Sequence, residues 1–175
     1  MVKSNRNKLN KIAFIGISAA LALLLSYVEF LLPPVFAAVP GIKLGLPNVV
    51  IMYLMYTMGL RYAAPVSVVR ICLSALLFGN ATTLAYSVAG AVLSLALMAV
   101  LKSIDKLSPV GVSVAGGVAH NIGQTLVAIV LLDTPQIAYY MLVLTLTGTV
   151  AGVFIGLCGS VLIKRLPPNK IFRAW

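Results

Sequence analysis

The sequence contains few charged residues. Only 9% of its 175 residues are charged, whereas soluble domains usually have about 25%. Hydrophobic residues make up 61% of the chain, and the mean hydropathy is +1.08. Because a compact soluble fold could not shield so much apolar surface from water, we expect an all-α integral membrane protein with a single domain.

Acidic residues are the scarcest charged type, and they lie far apart. Glu29, Asp105 and Asp133 are the only three, so no aspartate-rich cluster could hold magnesium and a diphosphate. The sequence also lacks a Walker A motif, which excludes ATP-driven transport by this chain alone. No internal duplication suggests an inverted-repeat transporter. We therefore expect that the chain has no enzymatic activity and does not transport a solute by itself.

Cysteine and histidine are also rare. Cys72 and Cys158 are the only cysteines, and both lie in apolar runs without CxxC spacing. This pattern gives little support to a disulfide or a metal site. We expect both thiols to be buried and inert, and we expect no metal and no intrinsic cofactor.

Apolar runs and chain breaks predict six transmembrane helices. The runs cover about residues 11–32, 47–60, 62–78, 81–101, 109–132 and 136–163. The predicted organisation is a basic N-terminus (1–11), one six-helix membrane domain (12–163) with an outer loop at 33–47, and a basic tail (164–175).

The basic residues predict the orientation of these helices. The net charge is +10, but the charges cluster at chain ends and short loops, which argues against nucleic-acid binding. With six spans, eleven of the thirteen Lys and Arg residues fall on the side of the termini, which predicts cytoplasmic termini. Only Lys43 falls on the other side, and Arg70 lies within a span. The eleven are Lys3, Arg6, Lys8, Lys11, Arg61, Lys102, Lys106, Lys164, Arg165, Lys170 and Arg173.

The stretch from Val39 to Asn48 interrupts the first two apolar runs. It contains two prolines and two glycines, which fix or free the backbone locally. One interpretation is a shaped outer loop that holds Lys43 and Asn48 over the helix bundle. The alternative is an ordinary turn between helices. Because loops often carry function, we favour the shaped loop.

Polar side chains within the spans predict a ligand site, because such groups are costly in a membrane. Arg70 and His120 both lie near the middle of their helices, and Gln124 follows His120 by one turn on the same face. With the adjacent Asn121, they could line a pocket that opens outward. The structural alternative pairs Arg70 with Glu29 or helix carbonyls. If Glu29 neutralises Arg70, the pocket suits a ring system; otherwise it suits an anionic or carbonyl-rich solute.

Small residues recur at intervals of four in two helices. Gly148, Gly152, Gly156 and Ser160 form one ridge, for which we favour packing within the chain. For the small residues of the first helix, packing on another protein and packing within the chain are about equally plausible. The predicted docking residues there are Gly16, Ser18, Ala20 and Ala22.

Four stretches together resemble the Gx transporter family, also labelled heptaprenyl diphosphate synthase component I. They are Pro40 to Asn48, Arg70-Ile71 with Gly79, Gly90 to Ser94, and His120 to Gln124. The resemblance covers about residues 12–163. Pro47 departs from the small residue, such as alanine, expected at that position. The synthase label finds no support in the residues, because the acidic cluster described above is missing.

The resemblance implies a fold and function similar to the S components of energy-coupling factor (ECF) transporters. Such six-helix proteins capture vitamins beneath the first loop, and they dock on a transmembrane partner and two ATPases through small residues of the first helix. We therefore expect uptake of a vitamin- or cofactor-like solute across a bacterial cytoplasmic membrane. The expected binding residues are Lys43, Asn48, Arg70, His120, Asn121 and Gln124.

The same resemblance implies an alternative function. Relatives look linked to flavin-dependent electron transfer at the membrane of Gram-positive bacteria. The alternative is therefore a membrane subunit of a flavin- or quinone-linked redox system, with a membrane redox protein as partner. A flavin is then a candidate ligand.

Overall fold

A computed structural model describes residues 2–31, 45–133, 135, 139 and 141–167. Within these ranges the chain is helical and contains no strand. The helices are α1 Val2–Leu31, α2 Leu46–Thr57, α3 Leu60–Phe78, α4 Ala81–Ile104, α5 Pro109–Leu132 and α6 Met141–Arg165. The predicted all-α six-helix bundle is confirmed.

Five of the helices among the described residues are long and apolar enough to cross a membrane. The exception is α2, whose 12 residues extend only about 18 Å at 1.5 Å per residue. A hydrocarbon core is about 30 Å thick. Every residue of α2 from Val50 to Met55 is buried. This short helix is therefore enclosed by protein rather than by lipid. It ends at Thr57, three residues before its predicted end.

Polar caps begin two of the helices where the sequence predicted breaks. At α4, the Asn80 side chain accepts from the Thr83 backbone N–H at 2.8 Å, and the Thr83 hydroxyl accepts from the Asn80 N–H at 2.8 Å. At α5, Ser108 accepts from the Gly111 N–H and Pro109 follows directly. Such caps satisfy N–H groups that the first helical turn leaves unpaired.

The first helix begins earlier than its apolar run. It starts at Val2, whereas the sequence predicted a start near Lys11. The prediction equated the helix with its apolar part, but lysine and asparagine residues can extend the backbone hydrogen-bond ladder beyond the membrane. At the other end of the chain, α6 continues to Arg165, two residues beyond its predicted end. Its predicted start at Gln136 lies outside the described residues.

Helix α5 packs between α4 and α6 through glycines. A Cβ added at Gly152 of α6 would lie 2.6 Å from the Val114 Cα on α5. On the α4 side, a Cβ at Gly123 would lie 2.7 Å from the Ala89 carbonyl oxygen. Since Cβ atoms cannot approach so closely, these backbones touch only because glycine is present. The predicted internal packing of the α6 glycine ridge is confirmed.

Helix α1 uses its own small residues to pack against α2 and α3. Ser18 is 6% exposed and Ala22 is 0% exposed, so both predicted docking residues face the interior of this chain. Gly16 and Ala20 lie on the exposed side, and a Cβ at Gly16 would meet nothing within 4 Å. Only Gly16 and Ala20 of the four remain accessible to a partner.

Side-chain hydrogen bonds hold the second half of α2 in place. The Tyr53 hydroxyl donates to the Leu166 carbonyl at 2.7 Å. The Lys102 ammonium donates to the Met55 carbonyl and lies 4.9 Å from the ring centroid of Tyr56. A cation at a helix C-terminus satisfies carbonyls that have no intrahelical partner.

The burial of the two cysteine thiols differs from the prediction. Cys72 is exposed and Cys158 is half-buried. The prediction failed for Cys72 because an apolar run does not distinguish the lipid-facing side of a helix from its interior side. Large apolar side chains are exposed in the same way, such as Leu76 at 81%, as a lipid-facing surface requires.

Candidate functional site

A small cavity lies among α2, α3, α4, α5 and α6, and we call it the central cavity. Five polar side chains reach its wall within an otherwise apolar lining. They are Asn48, Ser67, Ser94, Ser113 and His120. The remaining lining residues are Ile51, Met52, Ala91, Leu95, Met98, Gly116, Gly117 and Ile155. Amide, hydroxyl and imidazole groups all donate and accept hydrogen bonds, so this wall can orient a solute.

The imidazole of His120 is positioned from two sides. A Cβ at Gly90 on α4 would lie 2.8 Å from its Cε1 and Nδ1 atoms, so the absence of a side chain at Gly90 makes room for the ring. Gln124, one turn along α5, lies 3.1 Å from Nε2 through its amide nitrogen. The glycine and the amide therefore fix both the location and the orientation of the ring.

Glycines also shape the wall next to α4. A Cβ at Gly116 would lie 2.5 Å from the Met98 sulfur and 3.2 Å from the Ser94 hydroxyl oxygen. The Ser94 hydroxyl lies 3.7 Å from the same sulfur. Thioethers are weak acceptors, so the Ser94 hydroxyl can exchange this contact for a stronger acceptor on a solute.

A second polar group adjoins the cavity at the start of α2, and we call it the outer cluster. It consists of Glu29, Gly45, Asn48 and Arg70. The Gly45 N–H donates to the Glu29 carboxylate, and the Asn48 N–H donates to the Gly45 carbonyl at 2.8 Å. Gly45 has a φ of 73°, which glycine adopts without strain. The cluster joins α1, α2 and α3 and places a carboxylate at the positive end of α2.

Arg70 is the cation of the outer cluster. Its Nη2 lies 3.5 Å from the Asn48 side-chain oxygen, and its buried Nε has no hydrogen-bond partner among the described residues. An electrostatic interaction also connects Arg70 with Glu29. The structural alternative of an Arg70–Glu29 pair therefore has support, but the Nε donor still has no partner within the described part of the chain.

The predicted site residues separate into three locations. Asn48 and His120 line the central cavity, whereas Arg70 and Gln124 lie behind them as their hydrogen-bond partners. Asn121 faces α6, where its amide donates to the Leu144 carbonyl. Lys43 lies outside the described residues.

Sequence reasoning missed the three serines of the cavity. Ser113 lies seven residues before His120, so two helical turns place both on one face of α5. That spacing was available as a signal. Ser67 and Ser94 lie on other helices, and only tertiary packing brings them to the same cavity.

The cavity is small. Its volume open to the centre of a water molecule is about 30 Å³, which is enough for about two waters. Pockets for cofactor-sized ligands usually measure about 300–1,000 Å³. A solute of that size would therefore require the surrounding helices to separate. Among the described residues, no group of three His, Cys, Asp or Glu side chains could hold a metal ion.

The comparison with protein families covers most of the chain. The family model described as heptaprenyl diphosphate synthase component I matches residues 18–162. This range contains the central cavity and the outer cluster. No curated protein and no solved structure matches the chain significantly.

Proposed function

The chain belongs to the Gx-type family described as heptaprenyl diphosphate synthase component I, and from this premise we propose that it binds a small solute for uptake. The proposed role is that of an S-component-like membrane subunit. Its solute is a vitamin- or cofactor-like molecule, and separate transmembrane and ATPase subunits supply the energy.

The central cavity is the observation that carries this proposal. It collects five polar side chains from four helices in a lining that is otherwise apolar. Polar side chains within a membrane bundle are costly and usually serve a function, and solute binding is the function that we propose for these five. The Gly90–His120–Gln124 arrangement supports the same role, because it holds one of these groups in a fixed orientation.

Solute retention by the purified protein tests the proposal. The wild-type chain and His120→Ala are purified in mild detergent, and bound small molecules are extracted and measured by mass spectrometry. We expect about one molecule per chain in the wild type and at least tenfold less in His120→Ala, with equal amounts of folded protein. Absence of any retained small molecule from the wild type would contradict solute binding.

The same extraction separates the proposal from the redox alternative. A tightly bound flavin, together with a stable complex between this chain and a redox protein, would instead favour membrane electron transfer. A solute that is retained without such a complex supports uptake.

The docking surface for the transmembrane partner includes Gly16 and Ala20, since these are the accessible members of the small-residue set on α1. Ala20→Leu should abolish copurification of a membrane partner while solute retention stays unchanged. Ala96→Leu is the matched control, because Ala96 is exposed on α4. Equal loss of the partner in both variants, or in neither, would refute this surface.

Cytoplasmic termini are part of the proposal, because ATPases act from that side. After replacement of Cys72 and Cys158 by alanine, single cysteines are introduced at Ala38 and Ser103. A membrane-impermeant maleimide added to intact cells should label the first and not the second. The reverse labelling would invert the topology.

A further inference from the structure

We infer that Arg70 offers two parallel N–H donors to an anionic group of the solute, a carboxylate or a phosphate. This inference rests on the proposed uptake function and specifies the chemical class of the solute. It also gives a role to the buried Nε of Arg70, which no described residue satisfies.

The geometry of the guanidinium leads to this inference. Nε and Nη2 form one planar edge of the group, and their N–H bonds point in the same direction. The buried Nε has no hydrogen-bond partner among the described residues. Nη2 has the Asn48 oxygen at 3.5 Å, which is long for such a bond. One entire edge of the guanidinium is therefore weakly paired.

An acceptor with two oxygens on one atom matches this edge. Carboxylates and phosphates accept two parallel N–H bonds from arginine, whereas a single amide oxygen such as that of Asn48 fills only one position. Buried unsatisfied donors are rare in native structures and call for a partner.

The charges of the outer cluster favour an anion over a neutral acceptor. The carboxylate of Glu29 already accepts from the Gly45 N–H at the start of α2. The cluster thus sets one carboxylate against a guanidinium and the positive end of a 12-residue helix. An additional negative charge on a solute would balance this excess of positive charge.

Arg70 adjoins the central cavity through Asn48 and is not itself part of the lining. Asn48, which contacts Arg70, lines the cavity. Ser67, also in the lining, precedes Arg70 by three residues and so lies about one turn away on the same face of α3. A shift of the Asn48 side chain would connect the guanidinium with a solute in the cavity.

Two measurements test this inference. The first determines the structure of the small molecule extracted from the wild-type protein. The second compares its retention by Arg70→Lys and by Arg61→Lys, with thermal unfolding of each protein recorded in the same detergent. Arg61 is a matched control because it is exposed at the start of the same helix.

We expect a solute that carries a carboxylate or a phosphate. Arg70→Lys, which keeps the charge but loses the planar edge, should retain at least tenfold less of it, while Arg61→Lys retains the wild-type amount. A neutral solute, or equal retention by folded Arg70→Lys, would overturn the inference and leave the uptake function intact. If Arg70→Lys fails to fold, the chemical structure of the extracted molecule alone decides. If the wild type retains no molecule, the proposed function fails as well.

Discussion

Close backbone contact through glycines distinguishes one half of the bundle from the other. Between α4, α5 and α6, glycines bring helix backbones into direct contact. Between α1, α2 and α3, the described contacts include hydrogen bonds of side chains, such as those of Glu29 and Arg70. Two helix backbones in direct contact cannot switch to another partner. A side chain, by contrast, can exchange one hydrogen-bond partner for another.

This difference indicates which half moves. The central cavity lies where the two halves meet, and its free volume of about 30 Å³ is too small for a cofactor-sized solute. Tightly packed backbones cannot move apart without losing many contacts. We therefore expect α4, α5 and α6 to form a fixed wall of the cavity. The helices that exchange side-chain contacts, α1 to α3, are then the ones that shift when a solute enters.

The largest expected effect comes from the glycine-packed half. In Gly152→Ala, the new Cβ would lie 2.6 Å from the Val114 Cα, and neither backbone can move without separating α5 from α6. We expect a loss of about 3 kcal/mol in the free energy of unfolding, measured by SDS titration in mixed micelles.

Gly16→Ala is the control for this substitution. It makes the same change on α1, where a Cβ meets no atom within 4 Å. Its stability should stay within about 1 kcal/mol of wild type, with a small gain from helix propensity. Similar losses in both variants would show that close backbone contact does not distinguish the two halves.

A smaller effect is expected from the outer cluster. Glu29→Gln removes the charge from the bond to the Gly45 N–H, which should lower the free energy of unfolding by about 1–2 kcal/mol. Asp133→Asn, at an exposed position, should change little. If Glu29→Gln is as stable as Asp133→Asn in the same SDS titration, the carboxylate does not hold α1 against α2.

The smallest effect concerns the end of α2. Lys102→Met removes the ammonium that donates to the Met55 carbonyl, and we expect a loss of about 1 kcal/mol because the group remains partly exposed. Lys106→Met is the matched control, since Lys106 is exposed on the following loop. A lower thermal unfolding midpoint for Lys102→Met than for Lys106→Met would support the contact. Equal midpoints would argue against it.

Much of this architecture follows from the sequence. Long apolar runs predict helices because backbone polar groups must be satisfied inside a membrane. Breaks at Asn80 and Pro109 follow from capping chemistry. The α6 ridge at Gly148, Gly152 and Gly156 predicts close packing, and it packs on α5.

Other features depend on tertiary packing that residue patterns do not encode. Small residues at spacing four serve contacts within one chain and between chains equally well. The spacing therefore did not show that Ser18 and Ala22 would be buried within this chain. An apolar run of twelve residues does not show that protein encloses it, as it does α2. Ser67 and Ser94 meet His120 only after α3, α4 and α5 have packed.

Filling the central cavity is the most direct test of solute binding there. Ala91 lines the cavity, and Ala96 is exposed on the same helix, so Ala91→Leu and Ala96→Leu make the same change in opposite surroundings. Native mass spectrometry of the purified proteins should detect bound solute in the wild type and Ala96→Leu. It should detect at least tenfold less in Ala91→Leu. Equal occupancy of folded Ala91→Leu and Ala96→Leu would contradict a solute site in the central cavity.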